Sequence, residues 1–186
     1  MIAQALQRSF LDILVILALA AAAHAQANAP EVAPSVDLQR YQGKWYEIAR
    51  LPNRFQRQCA GDVAAFYTLR QDGKITVVNE CKLKDGSTDR AQGIARLADP
   101  KGPNSKLKVR FAPAFLSFLP FVWGHYWILD LAPDYTYALV GDPARKYLWI
   151  LARTRQIPEA TYQGLVEKAR AQGFAVDRLI RTKHQD

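Results

Sequence analysis

Short β-favouring runs alternate with turn chemistry over most of this chain. The runs fall at residues 45–50, 62–69, 75–82, 89–97, 106–111, 126–131, 137–141 and 147–153. Between them stand Gln71-Asp72-Gly73-Lys74, Asp85-Gly86-Ser87, the Pro- and Gly-containing stretch 99–104, Pro133-Asp134 and Gly141-Asp142-Pro143. Eight short strands at even spacing predict a sandwich or a closed up-and-down barrel. The run 106–111 shows its two faces most clearly: Leu107, Val109 and Phe111 point one way, Lys106, Lys108 and Arg110 the other. One face of the sheet is therefore dry and the other wet.

The period then changes. Over residues 158–172, Leu165, Val166 and Ala169 begin an apolar stripe that continues to Phe174, with Pro158 at the first turn, Glu159 near the positive end and Gly173 placed to stop the helix. Residues 176–182 read as a last strand. The expected fold class is all-β, with one amphipathic C-terminal helix packed outside the sheet.

Ahead of the strands, residues 13–23 are continuously apolar, with Arg8 before them and Ala23-His24-Ala25 after. This predicts a cleaved signal peptide over 1–25, since eleven residues are too few to span a bilayer. A linker over 26–36 and one domain over 37–186 follow. No cysteine lies near the cleavage site, so the expectation is a soluble periplasmic or secreted protein without a lipoprotein anchor. Export places Cys59 and Cys81 in an oxidising compartment, and the hairpin turning at residues 71–74 brings them to neighbouring strands, so a disulfide is expected.

Composition narrows the function without naming it. The chain has 186 residues, 49% of them apolar, the size of one domain with a sizeable core. Its 25 Lys and Arg against 17 Asp and Glu give +8, a surface attractive to anions. The basic residues are scattered, which argues against nucleic acid. His125 and His184 accompany no nucleophile motif, no metal-ligand spacing is present, and neither an enzyme nor a cofactor is expected.

Particular residues say more. Gly43-Lys44-Trp45-Tyr46, Pro133-Asp134-Tyr135-Thr136-Tyr137 and the Arg153 that ends Leu148-Trp149-Ile150-Leu151-Ala152-Arg153 resemble the three signature regions of the lipocalin family. The resemblance spans about residues 37–184 and is nearest to the bacterial and apolipoprotein D-like branch. It implies an eight-stranded antiparallel barrel, closed at one end, that binds a small hydrophobic ligand such as a fatty acid or lysophospholipid. Gly43, Trp45, Asp134, Tyr135 and Arg153 are then structural, with Trp45 plugging the closed end under the Arg153 guanidinium. A few members of the family are enzymes, so an enzyme acting on a hydrophobic substrate is the alternative.

Strand parity, combined with the family's pattern, selects the inward positions. They are Tyr67, Val77, Asn79, Val109, Phe111, Tyr126, Ile128, Trp149 and Leu151, together with Ala65, Leu107 and Tyr147. Such a lining is mostly apolar with a few hydroxyl, amide and indole groups, as small-molecule sites are. Residues 112–123, expected at the open mouth, carry Phe115, Leu116, Phe118, Leu119 and Phe121 without a charge. A patch of that kind marks contact with a membrane surface, contact with a second protomer in a homodimer, or a lid folded over the cavity.

Overall fold

The computed structural model describes residues 28–185. The signal-peptide reading of 1–25 lies outside the described residues. Eight strands run antiparallel in chain order: β1 (Gly43–Arg50), β2 (Gly61–Leu69), β3 (Ile75–Lys82), β4 (Thr88–Leu97), β5 (Lys106–Arg110), β6 (Gly124–Leu131), β7 (Tyr137–Gly141) and β8 (Leu148–Ala152). β1 pairs with both β2 and β8, and that double pairing closes the barrel. The expected strands match these to within two residues at each end.

A four-residue helix, α1 (Leu38–Tyr41), precedes β1, and α2 (Glu159–Ala171) follows β8. The last strand differs from expectation. Instead of a run over 176–182, a 3₁₀ turn at Val176–Arg178 is followed by the two-residue β9 (Ile180–Arg181). Val176 is buried beside α2, so the chain must turn before it reaches the edge of β1. There β9 pairs with Ala49 and Arg50, beyond the Gly43–Tyr46 segment that β2 occupies.

The core has two layers separated by the sheet. Inside the barrel lie Tyr41, Trp45, Tyr67, Ile75, Val77, Leu107, Ile128, Val140 and Leu151. Outside, Tyr162, Leu165, Val166 and Ala169 of α2 cover Trp127, Leu129, Leu139, Leu148 and Ile150. β7 lies between the two layers, so Ala138, Leu139 and Val140 are all fully buried. Its continuous apolar run is that of a strand dry on both faces.

The narrow end is closed by side chains and by the segment read as a linker. Ala33 and Val36 are buried in the inner cluster. The Ala33 amide donates to the Ile128 carbonyl at 2.9 Å, and Asn104 clasps Val36 with two bonds, from the Val36 amide at 2.9 Å and to its carbonyl at 2.6 Å. Residues 33–36 are thus docked rather than free, because a barrel end without such cover would expose its apolar filling to water. Asp37 caps α1 by accepting from the Gln39 and Arg40 amides.

Trp45 is fully buried, and the Arg153 guanidinium lies 3.9 Å from its ring centre. The same guanidinium donates to the carbonyls of Lys44 (2.9 Å), Arg40 (2.8 Å) and Tyr135 (3.3 Å). A cation with a planar fork of donors suits three carbonyls and one aromatic face at once. Gly43 sits at φ 90°, a conformation that favours glycine, and a Cβ there would stand 3.4 Å from Arg153. Asp134 accepts from the amide and hydroxyl of Thr136, which fixes the turn carrying Tyr135.

Cys59 and Cys81 are bridged, with Cα atoms 5.6 Å apart, tying the loop before β2 to the end of β3. Closing a loop of this length contributes about 3 kcal/mol. The folded protein should therefore resist thiol labelling without reductant, and reduction should lower its denaturation midpoint by an amount equivalent to about 3 kcal/mol. Labelling of both cysteines in the untreated native protein would contradict the bridge.

Candidate ligand-binding site

β4 explains why the barrel is not filled by its own side chains. Its inward row has Asp89 at the mouth and then only small residues, Ala91, Gly93 and Ala95, and Ala65 on β2 adds another short side chain. The Phe111 ring takes the place a Cβ on Gly93 would occupy, passing within 2.8 Å of it. What remains is a cavity of about 720 Å³, open at the end where β1–β2, β3–β4, β5–β6 and β7–β8 are joined. That volume is within the range of small-molecule sites.

Of the nine inward positions expected to meet ligand, eight line this cavity: Tyr67, Val77, Asn79, Val109, Phe111, Tyr126, Trp149 and Leu151. Ile128 does not. It is fully buried in the inner cluster, and its backbone joins Ser105 and Ala33 at the narrow end, so it belongs to the floor beneath the cavity. Strand parity gave its direction correctly, but depth along the barrel axis is not a property of parity.

Three residues outside the sequence-based set shape the site. The buried carboxylate of Glu47 accepts from Arg50 (2.9 Å), Gln56 (2.5 Å) and Thr182. Gln56 in turn accepts from the Trp149 indole at 3.0 Å. Trp149 also stacks on Tyr147, ring centres 5.8 Å apart, so an aromatic wall at the mouth is tethered to a buried ion pair. A carboxylate with the same strand parity as Trp45 was the available signal for Glu47. Nothing local marks Gln56, which reaches Glu47 from the β1–β2 connection.

The third residue is Tyr41, on α1. Its hydroxyl hydrogen-bonds that of Tyr126 at 2.8 Å, and Tyr126 bonds that of Tyr67 at 2.9 Å. All three line the cavity. Tyr41 is positioned by Trp45, whose indole donates to its carbonyl at 2.8 Å. Burial pushes all three phenols above their ordinary range, Tyr67 to about 12. Each is a neutral hydroxyl throughout the physiological range.

The 112–123 segment forms part of the rim. It contains two 3₁₀ turns, Ala114–Leu116 and Pro120–Val122. Val122 and Trp123 border the cavity, while Phe115, Phe118 and Phe121 are 74%, 77% and 80% exposed. Leu116 and Leu119 are half-buried. Arg96 and Arg110 stack on Trp123 at 4.3 and 5.4 Å, and the Trp123 indole donates to the Ser117 carbonyl, holding the base of the segment. Arg54 reaches the mouth over Phe55, whereas Lys101 lies in the β4–β5 connection at the narrow end.

An antiparallel barrel plugged at one end and carrying one open apolar cavity defines a small-molecule binding fold. A family model described as a lipocalin-like domain matches residues 36–184. The chain is 47% identical to temperature-induced lipocalin-1 of Arabidopsis thaliana over 157 residues, covering 84% of this chain and 83% of that protein. It is 40% identical to the outer membrane lipoprotein Blc of Citrobacter freundii, covering 82% and 81%. A crystal structure of the cockroach allergen Per a 4 superposes with a TM-score of 0.62 at 18% identity, over 86% of this chain and 94% of that one. The chain belongs to the lipocalin family.

The tyrosines make stability depend on alkaline pH. Below pH 10 the folded and unfolded chains both keep these protons and the stability is fully present. As pH rises from 10 to 12 the unfolded chain ionises first, so stability falls, by about 2 kcal/mol for Tyr67 alone. Replacing Tyr67 by Phe should flatten this loss in denaturant titrations between pH 9 and 12. An unchanged slope would mean that Tyr67 titrates normally in the fold.

Proposed function

We propose that this lipocalin binds and carries a single-tailed acyl amphiphile, a fatty acid or lysophospholipid, with its tail in the barrel and its head at the mouth. The observation that carries this reading is the cavity of about 720 Å³, walled by apolar side chains and bordered by an exposed apolar rim. Burying about ten methylenes at about 0.8 kcal/mol each gives about 8 kcal/mol before the costs of immobilisation, consistent with micromolar binding at best. Arg54 at the rim offers a cation to an anionic head, beside lining carboxylates that are already engaged: Glu47 and Glu80 pair with Arg50 and Arg90, and Asp89 and Asp142 accept from the Gln58 amide and from the Ala144 and Tyr147 amides. The eleven-residue apolar run, the disulfide and the name of the bacterial relative support work in the cell envelope.

Native mass spectrometry of the purified protein should reveal a co-purified acyl lipid. Acyl ligands should also quench or shift tryptophan fluorescence. Both Trp149 and Trp123 border the cavity, while Trp45 lies in the floor and Trp127 faces α2. The double variant Trp123→Phe/Trp149→Phe should therefore lose most of the response. Failure of every acyl compound to bind, or a full response in the double variant, would overturn this reading.

The same reading assigns the rim to a membrane surface. Phe115, Phe118 and Phe121 offer apolar area worth about 1 kcal/mol or more each on burial, and the net charge of +8 adds attraction to anionic lipid that salt screens. Phe115 and Phe118 do not border the cavity, so replacing both by Ser separates docking from ligand binding. The variant should lose salt-resistant sedimentation with anionic vesicles and slow ligand transfer from them. If the parent never sediments at high salt, the rim is a lid or a contact between protomers.

A further inference from the structure

The cavity floor is more polar than an acyl tail requires. Three hydroxyls carry three protons, and the chain Tyr41–Tyr126–Tyr67 contains two hydrogen bonds. One proton is left over in every orientation of that chain: on Tyr67, on Tyr41, or on Tyr126 when both outer hydroxyls donate to it. Among the described residues these hydroxyls make no other hydrogen bond. All three residues border the cavity, so the spare donor and the free lone pairs are presented to whatever occupies it.

The neighbours set the chemistry of the partner. Ala65, Ile75, Val77, Ala95 and Leu107 are buried around the cavity and carry no polar side-chain atom. A carboxylate leading into such a floor would contact no cation, because Arg153 lies against Trp45 with its donors on three carbonyls, and its desolvation would go uncompensated. A methyl tip that expels water would strand the spare proton. A neutral oxygen satisfies both conditions, because it accepts the proton without bringing a charge.

Deepening the acyl-carrier reading, and resting on it, we propose that the Tyr41–Tyr67–Tyr126 cluster is a second recognition point, selecting ligands whose inward end carries a neutral oxygen. An acyl chain hydroxylated at its far end is the simplest such ligand. A site built to hydrogen-bond an oxygen discriminates against the analogue lacking it, whereas an apolar pocket discriminates the other way.

The test pairs dodecanoic, tetradecanoic and hexadecanoic acids with their terminally hydroxylated counterparts. Binding is measured by calorimetry on the parent and on the triple variant Tyr41→Phe/Tyr67→Phe/Tyr126→Phe. Removing all three partners together leaves no stranded group, so the variant should fold, and its melting curve checks this. In the parent the hydroxylated acid should bind at least as tightly as the plain acid at the chain length that reaches the floor. In the variant the preference should shift toward the plain acid by about tenfold or more. Preference for the plain acid by the parent at every length, or an equal ratio in parent and variant, overturns the second recognition point while leaving the carrier reading standing. Binding of neither series overturns both. A variant that fails to fold still leaves the parent's ratio to decide.

Discussion

The layer built on Trp45 decides what this barrel can be. An eight-stranded barrel is just wide enough to be filled by its own side chains or to hold one small ligand. Here the two outcomes are separated along the axis. At the narrow end Trp45, Ile128 and Val36 fill the interior completely. Arg153 fixes that plug by spending its donors on three carbonyls from α1, from β1 and from the β6–β7 turn, which ties the plug to the chain segments around it. Above that layer the inward row of β4 shrinks to Ala91, Gly93 and Ala95, and the interior opens.

The polar groups of the interior are distributed to match. Glu47 and Gln56 sit toward the mouth, where Arg50 neutralises the carboxylate and Trp149 is held by the amide. The tyrosine hydroxyls form a separate polar focus, uncharged because burial disfavours the phenolate. Between the two lies an apolar wall. The cavity therefore has polar groups at both ends and apolar area in the middle, and the two ends differ in charge: one holds a paired carboxylate, the other only hydroxyls.

The outside of the barrel is equally divided. α2 covers one side and makes β7 dry on both faces. The 112–123 rim has no such cover, although its base is pinned by the stacking of Arg96 and Arg110 on Trp123. The pinned segment keeps three phenylalanines exposed, which makes the rim a surface rather than part of the core.

Strand order, the helix, the disulfide and the direction of most inward side chains were legible in the sequence. The first three depend on local periodicity, on turn chemistry and on the pairing of consecutive strands, all written within a few residues of each other, whereas parity gave two faces and the resemblance to the lipocalin pattern said which of them turns inward. The signature around Trp45 and Arg153 was legible for the same reason, since each part is a short motif. What tertiary structure alone decided is depth and meeting. Ile128 points inward as its parity says, yet it lies in the floor because the chain from Ala33 to Val36 docks there, a contact across almost a hundred residues. Tyr41 precedes every strand and has no parity to read. It joins Tyr67 and Tyr126 only because the Trp45 indole holds its carbonyl at the place where β2 and β6 face each other across the barrel.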